Sequence, residues 1–379
     1  MKKILSIVLA LLMLLSFAAC GESEKEDEKD NVAVNTSGEP VGYYTDDVDH
    51  HARDTYEFVF IHLAVTQLCT DEANAIAEFQ DALNFTITDV TANGDTDKLI
   101  TMVEEYCIDG VDGLFIDAGY NLTRIDEICE EYEVNYMTLN NPLYNNEEDR
   151  VCIAPCVVID SYQSGYELVD WLSENYKEYW GDIDTSKLGY IGGTFSSSVD
   201  IQYRVEGGKD SFLEHFPENE DNWFYADTIT GNLNVDTAYD LTSSIISANK
   251  DIEYWFIVAA AGDIGTGAAR AVEDLGLEDS ILIGSVPGST LMAEWQKGYE
   301  GCWVCCVDFT YLDMAAQALS GLIAMADGRA TMDSLWAEKR AEGDERTKYI
   351  TNCNVLTAET FKTFYSDLYA SYGFEYNPA

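Results

Sequence analysis

The sequence predicts an α/β protein of two doubly wound parallel-sheet lobes, and three observations carry that expectation. Short apolar runs recur along the body with helix-period patterns between them, which is how a parallel sheet covered on both faces reads. The span 54–379 is longer than the ~250–300 residues at which a single core usually divides. The alternation also runs twice, once up to residue 139 and again from about 187.

The elements follow in order. Glu57-Phe58-Val59-Phe60-Ile61-His62-Leu63 reads as a first strand, and Thr70 with Asp71 and Glu72 marks the start of a helix over 71–83. A strand at 85–91 follows, then the turn Asn93-Gly94-Asp95 and a helix over 96–108. Strands at 113–117 and 134–139 flank a helix at 122–132. The second half repeats the scheme with strands near 187–192, 223–229, 254–259, 280–284 and 301–307. Its helix at 234–249 shows Val235, Ala238, Leu241, Ile245, Ile246 and Ala248 at intervals of three to four. An amphipathic helix spans 310–326 and ends before Asp327-Gly328-Arg329, polar residues run from Thr331 to Lys348, and a last strand and helix occupy 349–356 and 358–371.

The N-terminus is a different kind of segment. Lys2 and Lys3, the apolar run Ile4 to Leu15 and the small residues before Cys20 have the order of an export signal, with an apolar run shorter than the ~20 residues of a membrane span. It resembles a bacterial lipoprotein signal peptide covering 1–19, which implies a lipid on Cys20 and an extracytoplasmic body anchored to the cell membrane. Residues 20–53 lack apolar periodicity and are expected to form a disordered acidic tether. Asp46, Asp47, Asp49, His50, His51 and Asp54 fall in this unpatterned stretch, so they read as a hydrated charge run rather than a metal site.

Composition excludes one large class of function. Sixty-nine acidic and twenty-one basic residues give a net charge of -48, a field that repels nucleic acid, and no Lys/Arg cluster opposes it. With 47% hydrophobic residues the chain still buries a large core, so the acidity belongs to the surface. Beyond Cys20, nine cysteines remain, an odd number set mostly in apolar runs, and they read as buried thiols rather than a disulfide framework. Cys302 and Cys305 lie in one strand pattern whose alternation sends them to opposite faces, against a zinc site; a bridge involving Cys152 or Cys156 stays open. Gly262-x-x-Gly265-x-Gly267 lacks the Gly-Lys-Ser ending of a phosphate loop and reads as close helix packing. Asp182-x-Asp184-x-Ser186 opens like a calcium loop but has Gly193 at its twelfth position. No cofactor or metal is expected.

Several segments in a fixed order then carry a resemblance. Gly110-Val111-Asp112-Gly113-Leu114-Phe115-Ile116, Asp160 followed by Gly165, Arg204-Val205-Glu206-Gly207, Tyr254 to Val258 leading to Gly267-Ala268-Ala269-Arg270-Ala271, and Ile350 to Thr357 together are similar to the type I periplasmic binding proteins of sugar ABC transporters, the ribose- and arabinose-binding group. The resemblance covers nearly the whole body. It implies a solute receptor with two lobes joined by three hinge crossovers, near 159–161, near 307–310 and within 328–348. The first lobe would be 54–159 plus 310–327 and the second 160–307 plus 345–379. The implied partners are a small ligand, a sugar or similar solute, an ABC permease, and the membrane through Cys20, with the chain a monomer.

Ligand contacts carry over one at a time. Thr66 and Gln67 stand in the loop after the first strand, Asn140 and Asn141 where the family has two polar residues at a strand end, and Arg204 at the family's forked arginine. The usual Asn-Asp of the second lobe is replaced by Ala261-Gly262, with Asp263 as a displaced substitute. Val286-Pro287 replaces an Asp, and Cys306 replaces a late Gln, with Asp308 close by. Read from the residues alone, Asn140 and Asn141 also fit a turn before Pro142, Arg204 a surface helix, Asp263 a helix cap, His62 a satisfied strand histidine, and Trp303 and Tyr311 either stacking groups or core. A sensor of the same architecture that docks on a signalling partner is the alternative. A lipid-anchored hydrolase is disfavoured, because the chain has no Gly-x-Ser-x-Gly, no His-Glu-x-x-His and only four histidines.

Overall fold

The computed structural model describes residues 48–376, apart from 119–121, 147, 149 and 232. The expected signal segment, Cys20 and most of the tether lie outside the described residues. The packed body begins earlier than position 54. Asp49 caps a single turn over His50–Ala52, His50 is buried, and Arg53 donates to the carbonyls of Leu83 at 2.7 Å and Asn84 at 2.8 Å. The tether expected to run to 53 therefore ends sooner, because Arg53 supplies donors to the backbone carbonyls of the corner at Leu83 and Asn84.

The first sheet is built from β1 (Tyr56–His62), β2 (Phe85–Thr91), β3 (Gly113–Asp117), β4 (Tyr136–Leu139), β5 (Cys156–Ile159) and β11 (Lys348–Thr351), in the order β11-β5-β4-β3-β1-β2, all parallel. Its helices are α1 (Gln67–Glu78), the short α2 (Gln80–Leu83), α3 (Thr96–Asp109) and α4 (Thr123–Tyr132). The second sheet repeats the winding with β6 (Leu188–Thr194), β7 (Trp223–Asp227), β8 (Tyr254–Ala259), β9 (Ile281–Ser285), β10 (Trp303–Asp308) and β12 (Asn354–Thr357), in the order β12-β10-β9-β8-β6-β7. Only β12 runs antiparallel to its neighbour. Around it stand α5 (Ser161–Trp180), α6 (Val199–His215), α7 (Val235–Ala248), α8 (Gly262–Leu275) and α9 (Ser289–Gln296). Two further helices, α10 (Tyr311–Ala326) and α11 (Phe361–Ser371), complete the chain.

Strand alternation sets the layers. In β1, Phe58 and Phe60 face one apolar layer together with Phe115, Met137 and residues of α10, whereas Val59 and Ile61 face another with Leu99, Val103 and Ile125 of α3 and α4. In the second sheet Tyr190, Phe256 and Leu282 pack under α5 and α6, and Ile191, Trp255 and Ile283 pack under α8 and α9. Cys305 and Cys302 fall in these opposite layers, as their spacing predicts, and the nine described cysteines are free thiols, eight of them buried.

Four elements differ from the sequence reading. β5 is a strand where none is expected, since Pro155 breaks the run before it and leaves four residues to pair. The last strand is two strands: Lys348–Thr351 joins the first sheet and Asn354–Thr357 the second. The chain thus crosses between sheets at 160, at 309–310 and at 352–353; the third crossing is not within 328–348, and the lobe boundary expected at 345 moves with it. Helix α1 starts at Gln67, because the Thr66 hydroxyl accepts from the Cys69 N–H at 3.1 Å and caps it a full turn before Thr70. Helix α10 is not amphipathic: Tyr311 through Met325 are all buried, and Leu335 and Trp336 belong to the same core cluster as its apolar residues.

Candidate functional site

Both sheets end their parallel strands toward the same gap, the place where open α/β sheets bind ligands. From the first lobe the gap receives Leu63, Ala64 and Thr66 after β1, Asp117 and Ala118 after β3, and Asn140 and Asn141 after β4. From the second it receives Ser198, Asp200, Ile201 and Arg204 near the start of α6, Ala261 and Gly262 after β8, and Pro287, Ser289 and Thr290 after β9. Ile159, Ser161 and Tyr311 close it at the crossings, around a cavity of about 440 Å³. A second hollow of about 600 Å³ shares Gln67, Ser289, Thr290 and Tyr311 with it, but its walls are helices α1, α9, α10 and α11 and the tail residue Tyr376. Only the first is fed by strand ends from both sheets.

The first-lobe wall is a polar cluster. Asn140 takes a left-handed conformation (φ 56°), which asparagine tolerates, and its Nδ2 donates to Glu72 Oε1. The next residue, Asn141, donates to Asp117 Oδ1 at 2.6 Å. The Cys69 thiol donates to Asp117 Oδ2 at 3.4 Å. Glu72 and Asp117 are 2% and 7% exposed, and burial pushes both carboxyls up from their ordinary values, with the two charges opposing each other in Glu72. Burial, aided by Asp117, also holds Cys69 as a thiol. Cys69, Glu72 and Asp117 form the described group with the donor types of a metal site, their ligand atoms within 4.8 Å of one another.

The second-lobe wall is organised by Arg204, which is 8% exposed. Its Nη1 donates to the carbonyls of Ala260 at 3.0 Å and Val286 at 3.4 Å, tying the ends of β8 and β9, and its guanidinium lies 5.1 Å from the centre of the Phe309 ring. A hydrogen bond spans the two walls: the Ser289 hydroxyl donates to Asp71 Oδ2 at 2.9 Å. Gln67 donates to the other Asp71 oxygen at 2.9 Å, and burial raises the Asp71 carboxyl against these two bonds.

Of the seven contacts expected from sequence, Thr66, Gln67, Asn140, Asn141 and Arg204 border one cavity. Asp263 does not; it is exposed in the first turn of α8, and the position capping that helix is Ala261. Asp308 does not either. It is wholly buried at the second crossing, accepting from the Thr310 N–H at 3.0 Å and from the Tyr365 hydroxyl. His62 is satisfied by the Ala64 carbonyl and Asp89, and Trp303 is core over Gly265, while Tyr311 borders the gap. The glycines of 262–267 are packing positions, since a Cβ at Gly262 would lie 2.0 Å from Thr290 Oγ1 and one at Gly267 2.4 Å from the Val235 carbonyl. Sequence reasoning missed Glu72, Asp117, Ser289 and Asp71. The signal for Glu72 was present: it stands on the stripe of Cys69, Ala75 and Ile76 that α1 buries, where a carboxylate is out of pattern.

A model of the periplasmic binding protein domain matches residues 65–330. No curated protein matches the chain. Among solved structures, a periplasmic solute-binding protein of an ABC transporter from Actinobacillus succinogenes with bound D-allose aligns with TM-score 0.61 at 16% identity, over 82% of this chain and 100% of that one. A sugar-binding protein of a sugar ABC transporter from Bacillus halodurans gives 0.63 at 15%, over 82% and 100%. The arabinose-binding protein AraP from Geobacillus stearothermophilus gives 0.61 at 15%, over 83% and 100%.

Proposed function

The chain belongs to the periplasmic binding protein family, and from that premise we propose that it captures a small polyhydroxy solute between its lobes and delivers it to an ABC importer. The observation that carries this reading is the cavity itself, walled by strand ends of both sheets and closed by the crossings. The proteins of similar fold named above bind D-allose, arabinose and other sugars, which supports a sugar or polyol as the class of solute. The family is a binding class that works outside the cytoplasm, and no described helix is long and apolar enough to cross a membrane.

The mechanism is a population shift. A solute that touches only one wall binds the open and closed forms equally and shifts nothing; one that reaches the first-lobe cluster and the α6–β9 wall together favours the closed form. On this reading Thr66, Gln67, Asn140, Asn141 and Arg204 orient or support the solute, and the first lobe comprises 48–159 and 311–351. The second comprises 161–308 and 354 onward. A lipid on Cys20 holds the monomeric receptor at the membrane beside its permease, and the solute leaves unchanged.

A thermal-shift panel of sugars, polyols, nucleosides and amino acids tests the reading on purified protein. One class raises the melting temperature in a concentration-dependent way, as a ligand of the native state must. No shift by any member at millimolar concentration, or conversion of a bound member to product, overturns it. For the anchor, Cys20→Ser releases the protein from the membrane fraction; retention there rejects the lipid.

A further inference from the structure

The first-lobe wall is short of donors, not of acceptors. Both asparagines spend their N–H groups on carboxylates, Asn140 on Glu72 and Asn141 on Asp117. What is left is Glu72 Oε2 and Asn140 Oδ1, each buried and without a hydrogen-bond partner, beside the Asp117 carboxylate. The Tyr311 hydroxyl, 8% exposed and likewise unpartnered, borders the cavity with Asn140 and Asp117, while Glu72 stands behind them, and after burial the charges of Asp308, Asp71 and Glu72 push it up. A buried acceptor without a donor costs about 1–3 kcal/mol, and two such atoms on residues joined by one hydrogen bond are a place built for something that donates. The cavity's own cation does not fill the role, because Arg204 donates to Ala260 and Val286 on the opposite wall.

We propose that this cluster holds a protonated primary amine of the solute, between Glu72, Asp117 and the Asn140 side-chain oxygen, so that the natural ligand is an amino sugar or amino polyol rather than a neutral sugar. The assignment rests on the solute-capture reading above and names its substrate class. An ammonium group has three N–H donors and no acceptor, which matches a wall of acceptors. Its positive charge favours the ionised form of both carboxyls against the burial that raises them, which a hydroxyl cannot do. A divalent metal fits less well. It requires a thiolate or several more oxygens, whereas Cys69 is a thiol donating to Asp117, and one oxygen of each carboxylate already accepts from an asparagine.

Calorimetry of the purified protein with matched pairs tests this: D-glucosamine against D-glucose, D-galactosamine against D-galactose, and an aminoalditol against its parent alditol. At least one amine binds tenfold or more tightly than its hydroxyl partner. Glu72→Gln, which keeps an oxygen for Asn140, and Asp117→Asn each remove most of that margin, read as the ratio of amine to hydroxyl affinity within the same variant; if one variant fails to fold, the other decides. Neutral members binding as tightly as the amines overturns the assignment and leaves solute capture standing. If neither class binds, the assignment falls with the capture reading on which it rests. Zn²⁺ or Ca²⁺ titrated alone that binds the native protein and not Asp117→Asn also overturns it, in favour of a metal.

Discussion

Ser289 and Asp71 join the two lobes through one hydrogen bond, 2.9 Å from the serine hydroxyl to Asp71 Oδ2. The serine opens α9 of the second lobe, and the aspartate stands in the first turns of α1, one position before the buried Glu72. The bond exists only while the lobes are together, so its free energy belongs wholly to the closed form.

A hydrogen bond to a charged group is worth about 1.5–3 kcal/mol when buried, and partial exposure of both residues lowers that. Ser289→Ala therefore raises the dissociation constant for whatever solute the screen identifies by about three- to tenfold, and enlarges the radius of gyration of the ligand-free protein in small-angle scattering. Unchanged affinity together with unchanged scattering would show that the bond plays no part in closure.

Arg204 is a support for the second-lobe wall as much as a contact. Arg204→Ala takes the donor from the Ala260 and Val286 carbonyls and leaves buried acceptors at the ends of β8 and β9, each costing about 1–3 kcal/mol. The expected result is a melting temperature lowered by at least about 5 °C together with an affinity lower by about tenfold or more. Arg204→Lys restores only part of either, since a single ammonium does not reproduce the planar fork over Phe309. A variant that loses affinity at unaltered stability would assign Arg204 to the solute alone.

The position of that arginine depends on two glycines. A Cβ at Gly165 of α5 would lie 1.7 Å from the Arg204 carbonyl oxygen, and one at Gly207 of α6 2.0 Å from that of Tyr162, so the helices touch backbone to backbone. Gly165→Ala forces them apart and costs about 3 kcal/mol or more, read as a lower denaturation midpoint with altered affinity. Gly110→Ala is the control: it has φ 76° and nothing within 4 Å, and costs about 1 kcal/mol through backbone conformation alone. Equal effects of the two would contradict the close packing.

The winding was legible because each strand is a short apolar run and each turn has its own chemistry: Asp95 caps α3, Gly110 and Gly276 end helices with positive φ, and the alternation of Phe58-Val59-Phe60-Ile61 divides two layers. What the sequence hid depends on contacts far apart in the chain. β5 is strand only because β4 and β11 flank it, and Thr351 and Asn354 part company only because two different sheets claim them. In the site, position in the sequence brings Asn140, Asn141 and Arg204 to the cavity, but does not give what their side chains do. Resemblance places a residue near a ligand; it does not say that both amides face inward to Glu72 and Asp117, nor that the arginine is bound to carbonyls. Asp263 and Asp308 are the converse, acidic residues near a motif in sequence that do not border the cavity.

Asp308 gives the clearest pH dependence. Burial pushes its carboxyl up to about 6 from 3.8, against the bonds from Tyr365 and the Thr310 N–H. The folded value lies above the unfolded one, so the native state favours the neutral acid: its contribution is complete below about pH 4 and is lost as pH rises through about 6. Ionisation at pH 8 then costs the native state on the order of 3 kcal/mol. Asp308→Asn cannot ionise and keeps an oxygen for the Thr310 N–H, so the difference in melting temperature between variant and native protein moves in the variant's favour by several degrees from pH 5 to pH 8. Taking the difference cancels the titration of groups common to both proteins. A difference that stays flat over that range would mean that Asp308 is ionised, or neutral, throughout, and that the second crossing between the lobes is indifferent to pH.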